Sequence, residues 1–327
     1  MKKNIIIIRT VYILLFCLIM FFAGKALRIY TTHGIRQADT MYAQPKDTID
    51  AAMMGSSHIH CDIDPGILYD EFGIAAYDMS AAEQPMWITY HYILELCKRQ
   101  KPSVMVIDMF APAAYGDDFK EQWMADNLFG VHFSVNKLKM LYNTCSREQL
   151  NDYFPAFVGY HSEYEDIRLR NLKKRINRKP DISFKGYTGY DDICDENNPP
   201  AINVTAKKEL PPKTGEYLDR IISYTKENNI TLFLVVNPYQ SEPEEEMIYN
   251  WLEDYASQKG VIFINGNRHL DDIGIDIDTD FYDYSHLNIE GGAKYTRYLG
   301  NILKNTGLLP DRRGDERYSS WEKKEKK

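Results

Sequence analysis

Residues 49–58 read I-D-A-A-M-M-G-S-S-H, and this stretch decides the fold. A short apolar run that stops on glycine and turns polar is too brief for a buried helix. It fits a strand buried on both faces that feeds a tight strand-to-helix turn. Four similar runs lie downstream, at 74–79, 104–110 (V-M-V-I-D-M-F), 231–236 (T-L-F-L-V-V) and 261–265 (V-I-F-I-N). Between them, residues 84–99, 215–228, 244–259 and 290–304 carry apolar side chains at three- and four-residue spacing, the mark of amphipathic helices. Strands alternating with helices predict a doubly wound, three-layer α/β/α domain, flavodoxin-like, with a central parallel sheet of about five strands.

The rest of the chain is placed around that frame. Residues 111–212 interrupt it and are too long for a plain loop, so they are expected to form a partly helical insert acting as a cap. The domain is expected to span 48–310, with 29–47 as a linker. Residues 311–327, D-R-R-G-D-E-R-Y-S-S-W-E-K-K-E-K-K, read as a charged flexible tail. The chain of 327 residues is 26% charged and 44% hydrophobic, which excludes a mostly disordered, collagen-like or polytopic membrane protein. A net charge of −8 supplies no overall field for nucleic acid, and none is expected as a partner. The cysteines, Cys17, Cys61, Cys97, Cys145 and Cys194, form no C-x-x-C pair and are expected to be buried free thiols.

Residues 1–28 set the compartment. Lys2 and Lys3 precede an apolar stretch, 5–23, broken by Arg9 and Thr10. As a helix it would span about 28 Å, close to the hydrocarbon core. Arg9 lies near enough to the lysines to snorkel. The reading favours an uncleaved single-pass anchor over a signal peptide cut near Gly24-Lys25-Ala26. It places everything after about residue 30 outside the cytoplasm, although Lys2, Lys3 and Arg9 nearly balance Lys25, Arg28 and Arg36 across the span.

The chemistry lies at two strand ends. Gly55-Ser56-Ser57-His58 follows the first strand, and Asp283-Tyr284-Ser285-His286-Leu287-Asn288 lies between the fifth strand and the last helix. Ligands of open parallel sheets sit outside the carboxyl ends of strands. A serine there, with an Asp-x-x-His downstream, supplies a hydroxyl nucleophile, a base to take its proton and a carboxylate to orient the base. Each motif alone is common, as a turn with capping serines or a helix cap beside a histidine. Their joint placement on the sheet is what points to catalysis.

On these residues the chain resembles the SGNH/GDSL hydrolase superfamily. Gly55-Ser56-Ser57 looks like its block I and Asp283-x-x-His286-Leu287-Asn288 like its block V, and the stretch 280–300 is the most specific part. The resemblance covers roughly 48–110 and 215–305, and it implies Ser57 as nucleophile, His286 as base and Asp283 as orienter. In the insert, Tyr160-His161 and Lys185-Gly186-Tyr187 look like features of a membrane-anchored branch of that superfamily. Members similar to this branch, DltD and alginate-acetylation proteins among them, work beside a membrane-bound O-acyltransferase (MBOAT) in acyl transfer to extracellular polymers. The block II glycine and block III Gly-x-Asn-Asp are missing, replaced by D-M-S-A-A-E-Q at 78–84 and D-M-F-A-P at 108–112. The Ser57 N–H joined by that of Ser80 is then the expected oxyanion site, with His58 either lining the site or supporting it from behind. The same departures occur in DltD-like proteins and favour acyl transfer over general ester hydrolysis.

Two other clusters were weighed. His58, His60, Cys61, Asp62 and Asp64 suit a metal by residue type, but no second cluster accompanies them, so no metal and no cofactor is expected. Arg168, Arg170, Lys173, Lys174, Arg175, Arg178 and Lys179 make a basic run, either a solvated helix face or a grip on anionic polymer or lipid headgroups. The expected function is an extracytoplasmic serine-dependent O-acyltransferase, with acetyl or a similar group passed to a cell-surface polysaccharide or cell-wall polymer, working with an MBOAT. The alternatives are an esterase or deacetylase with the same triad, and an inactive polymer-binding partner of a membrane acyltransferase.

Overall fold

The computed structural model describes residues 2–154, 169–194 and 196–322. The frame read from the sequence is present. Strands β1 (Ala51–Gly55), β2 (Ala76–Ser80), β3 (Val104–Asp108), β4 (Thr231–Val236) and β5 (Ile262–Asn265) form one parallel sheet in the order β2-β1-β3-β4-β5. Every residue of β1, β2 and β3 is buried, including Asp78 and Ser80 in β2 and Asp108 at the end of β3. The third strand ends at Asp108 rather than at residue 110, because the Asp108 carboxylate accepts the Phe110 N–H and starts a helix there.

The helices, in chain order, are α1 (Lys2–Leu27), α2 (Ile35–Ala43), α3 (Ser57–Asp62), α4 (Pro65–Phe72), α5 (Met86–Cys97), α6 (Phe110–Ala114), α7 (Met124–Leu128), α8 (Val135–Thr144), α9 (Leu150–Tyr153), α10 (Leu169–Ile176), α11 (Pro212–Glu227), α12 (Pro243–Lys259), α13 (Leu270–Ile273) and α14 (Ile289–Asn305). Helix α5 packs on α11, and α11 is tied to α12 through Asp219, which accepts from Tyr255 and Lys259. On the other face α14 packs against α3 and α4. The chain therefore leaves β1 in one direction for β2 and returns past it to β3. The crevice at the carboxyl end of β1 is the switch point at which such sheets bind ligands.

Two expectations need correction. Residues 29–47 are not a free linker. Ile35, Ala38 and Met41, three apart, give α2 a buried apolar face against β2, and the Tyr77 hydroxyl donates to the Gln37 carbonyl at 2.7 Å. The charged tail is folded as far as residue 322. Arg312 makes a two-pronged ion pair with Asp50 (2.7 and 2.9 Å), and Tyr318 and Trp321 are buried. Two aromatic anchors outweigh the surrounding charge, because each removes a large apolar area from water. The insert is partly helical, as expected, and packs into the body. Its helix α8 lies on α5, and residues 185 and 186 meet the open edge of β2. There the Lys185 carbonyl accepts the Asp78 N–H at 2.8 Å, and the Trp321 indole donates to the Ala76 carbonyl at 2.9 Å. Gly186, at φ 104°, is required by this approach, since a Cβ there would come within 2.1 Å of the Asp78 carbonyl oxygen. Insert and tail together cover an edge strand that would otherwise expose its hydrogen-bonding groups.

All five cysteines are free. Cys61 is buried, whereas Cys17 sits on the exposed surface of α1. Among the described residues one helix, over Ile5–Leu27, is long and apolar enough to cross a membrane, and none of its hydrophobic window is buried against the body.

Candidate active site

Gly55 ends β1 at φ 129°, and a Cβ there would collide with the Asp108 carboxylate. The close approach lets Asp108 hold the turn. One of its oxygens accepts the Ser56 N–H, and the other accepts the Ser56 hydroxyl at 2.8 Å. Ser56 is thus fully buried and committed to the turn. Ser57, the first residue of α3, is left facing outward.

The Ser57 Oγ lies 2.8 Å from His286 Nε2, across more than two hundred residues of chain. On the far side of the ring, Nδ1 lies 3.0 and 3.1 Å from the two Asp283 oxygens. The three residues singled out in the sequence therefore form one hydrogen-bonded line. Asp283 Oδ1 also accepts the N–H groups of Ser285 and His286, both at 2.8 Å, which folds the loop around its own carboxylate. Burial alone would raise the Asp283 pKa, but the His286 contact and these N–H donors outweigh it and hold the acid below its ordinary value. Burial likewise works to lower His286, yet the Asp283 hydrogen bond and the carboxylates of Asp62, Asp283 and Asp108 raise it above 6.5 overall. Asp283 is ionised at neutral pH and stabilises the imidazolium that would form when Ser57 loses its proton.

A buried polar floor supports this line. Asp62 Oδ1 accepts the Leu287 N–H at 3.0 Å, and Oδ2 accepts from Asn237 at 3.1 Å. Burial pushes Asp62 up to about 8 and Asp108 to about 6. His58 Nε2 meets the Ser285 hydroxyl at 3.0 Å, and its ring stacks on Phe110 with centroids 3.9 Å apart. Burial keeps the His58 pKa well below 6.5.

Of the two places expected for His58 it takes the supporting one: it is wholly buried beneath the site, because α3 turns its side chain inward onto the Ser285 loop. Ser80 was expected to lend its backbone N–H beside that of Ser57. It ends β2 opposite Gly55, fully buried, with its hydroxyl 2.8 Å from His60 Nδ1. From the loop after β2, Ala82 and Glu83 reach the pocket.

The pocket over Ser57 has a volume of about 220 Å³. Phe110, Tyr115, Trp123, Tyr190, Tyr282 and Tyr284 form most of its wall, and His33, His60 and Glu83 supply polar groups. His33 and His60 stack with centroids 5.2 Å apart, and burial lowers both pKa values. Tyr190, from the insert, stacks on Tyr282 at 4.2 Å, so the insert does build part of the site. Asp62, Asp108, Asn237 and His33 were not assigned roles from sequence. Asp108 carried a signal, an acid closing an otherwise apolar strand. His33 carried none, lying in the supposed linker.

Among the described residues no three His, Cys, Asp or Glu side chains converge to hold a metal ion, and His58 and His60 face different partners. Of the insert residues singled out, Lys185 is buried and bonded to Gln44 and Ser320, while Tyr160-His161 lie outside the described residues. No family model and no curated protein matches the chain.

Proposed function

We propose that this protein is a membrane-anchored serine O-acyltransferase acting outside the cytoplasm on a cell-surface polysaccharide or cell-wall polymer. The observation that carries the reading is the Ser57–His286–Asp283 line at the floor of an aromatic pocket. The resemblance of its two motifs to the SGNH superfamily, and to the branch that works beside an MBOAT, supports acyl transfer.

In the first half-reaction His286 Nε2 takes the Ser57 proton as Oγ bonds to the donor's carbonyl carbon. The carbon–oxygen bond of the donor breaks, and the leaving oxygen receives that proton from His286. In the second half a sugar hydroxyl gives its proton to His286 and attacks the acyl-Ser57 carbonyl. The Oγ–carbon bond breaks and Ser57 regains a proton. Flat aromatic walls suit a sugar ring as acceptor. An MBOAT is the proposed source of the acyl group.

The test is acceptor competition. The full-length protein in detergent is given an aryl acetate, with and without an oligosaccharide. The expected result is faster aryl alcohol release with the sugar present, and an acetylated sugar by mass spectrometry. Fast hydrolysis with no sugar acylated would make the protein an esterase. Cells in which a Ser57→Ala protein functions like wild type would make it a non-catalytic partner.

A further inference from the structure

A second cavity, of about 720 Å³, is distinct from the one over Ser57. It lies where α1 leaves its apolar span, between residues 28–31 and helix α10 with the segment after it. Arg28, Lys174, Arg175, Arg178 and Lys179 line it, and among the described residues no acidic side chain does. The groove is built rather than incidental. Arg175 Nε donates to the Ala26 carbonyl at 2.6 Å and its Nη2 to that of Arg28 at 3.3 Å, which docks α10 on the end of α1. The Arg178 guanidinium sits 4.1 Å from the centre of the Tyr30 ring. Arg28 is partly neutralised by Asp39 at 3.0 Å, whereas Lys174 and Lys179 make no ion pair with any described residue.

Position supplies the second half of the argument. The apolar helix Ile5–Leu27 would cross about 34 Å at 1.5 Å per residue. Arg28 follows it directly, so residues 28–31 fall at headgroup depth when the helix spans a bilayer. A cationic groove with an aromatic residue at that level matches the phosphate of an anionic lipid.

We infer that this groove binds the headgroup of an anionic phospholipid and so fixes the body against the membrane. The inference rests on α1 lying in the bilayer and is independent of the chemistry at Ser57. Each cation near a charged surface contributes about a fivefold gain in affinity.

The test uses the full-length protein in dodecyl maltoside, titrated with dioctanoyl phosphatidylglycerol or dioctanoyl phosphatidylcholine and followed by native mass spectrometry. The anionic phosphatidylglycerol should bind at least about tenfold more tightly than the zwitterionic phosphatidylcholine. K174Q/R178Q/K179Q should remove most of that preference, K174R/K179R should keep it, and 0.5 M NaCl should weaken it in the unmodified protein. Equal binding of the two lipids, or a preference insensitive to salt, would overturn the inference. So would displacement of the lipid by inorganic phosphate at equal concentration, which would mark a free-anion site. If the glutamine variant melts early, the arginine variant and the salt titration still decide. Labelling of Ser57 by a fluorophosphonate reports on the proposed enzyme separately.

Discussion

At the scale of single residues, two adjacent serines have been given opposite duties. Ser56 is held by Asp108 and Ser57 by His286, so removing each hydroxyl should have different consequences. Ser57→Ala should abolish covalent labelling by a fluorophosphonate, while Ser56→Ala should retain it with reduced stability of the turn. The raised pKa of His286 also fixes a direction with pH. The base acts only when neutral, so acylation by an aryl ester should rise with pH through an inflection above 6.5. In Asp283→Asn the hydrogen bond and charge that raise the pKa are gone. The inflection should move down, and the rate should fall on the order of a thousandfold or more. A pH profile unchanged in that variant would remove Asp283 from the proposed triad. Ser57, Asp283 and His286 were legible because their roles depend on short motifs at strand ends. Asp62, Asn237 and His33 were not, because their importance arises from contacts made across the fold with residues far away in sequence.

At the scale of elements, β1, β3 and β4 were legible because burial on both faces demands a run of apolar residues with no polar alternation. The surface-spanning pieces were harder, since a segment that covers a sheet edge needs only a few anchors among polar residues. The tail illustrates this. Its composition is that of a disordered segment, yet Trp321 is buried, donates to the Ala76 carbonyl and carries the Lys185 ammonium 3.4 Å from its ring centre. Burial pushes the Lys185 pKa down to about 7, so this contact belongs to a lysine sensitive to its surroundings. Trp321→Ala should cost about 3–5 kcal/mol, as for other buried tryptophans, with a lowered melting temperature in detergent. A melting temperature equal to that of the unmodified protein would mean that the tail does not hold β2. The same logic accounts for α2, whose three apolar residues were too few to stand out in a segment read as a linker.

At the scale of the whole molecule, the open question is how the body sits relative to the membrane. Flanking charge does not decide orientation, because Lys2, Lys3 and Arg9 oppose Lys25, Arg28 and Arg36. A folded domain of this size translocates largely regardless of its own charge. The proposed acceptor, a cell-surface polymer, then sets the expectation that the body is exported. The fate of α1 follows from its contacts. The helix runs unbroken to Leu27, and Arg175 is bonded to the Ala26 and Arg28 carbonyls. Cleavage after Gly24 or Ala26 would cut within that helix and at the surface on which α10 docks. The mature protein should therefore retain its N-terminal segment and remain in the membrane fraction after a carbonate wash. A reporter active only after export, fused beyond Lys327, should be active, and one active only in the cytoplasm should be silent. The reverse pair of results would place Ser57 on the cytoplasmic side and remove extracellular polymers as acceptors. A mature N-terminus at residue 25 or 27 would instead show that α1 is a leader, and the groove at its end would then have no lipid surface to face.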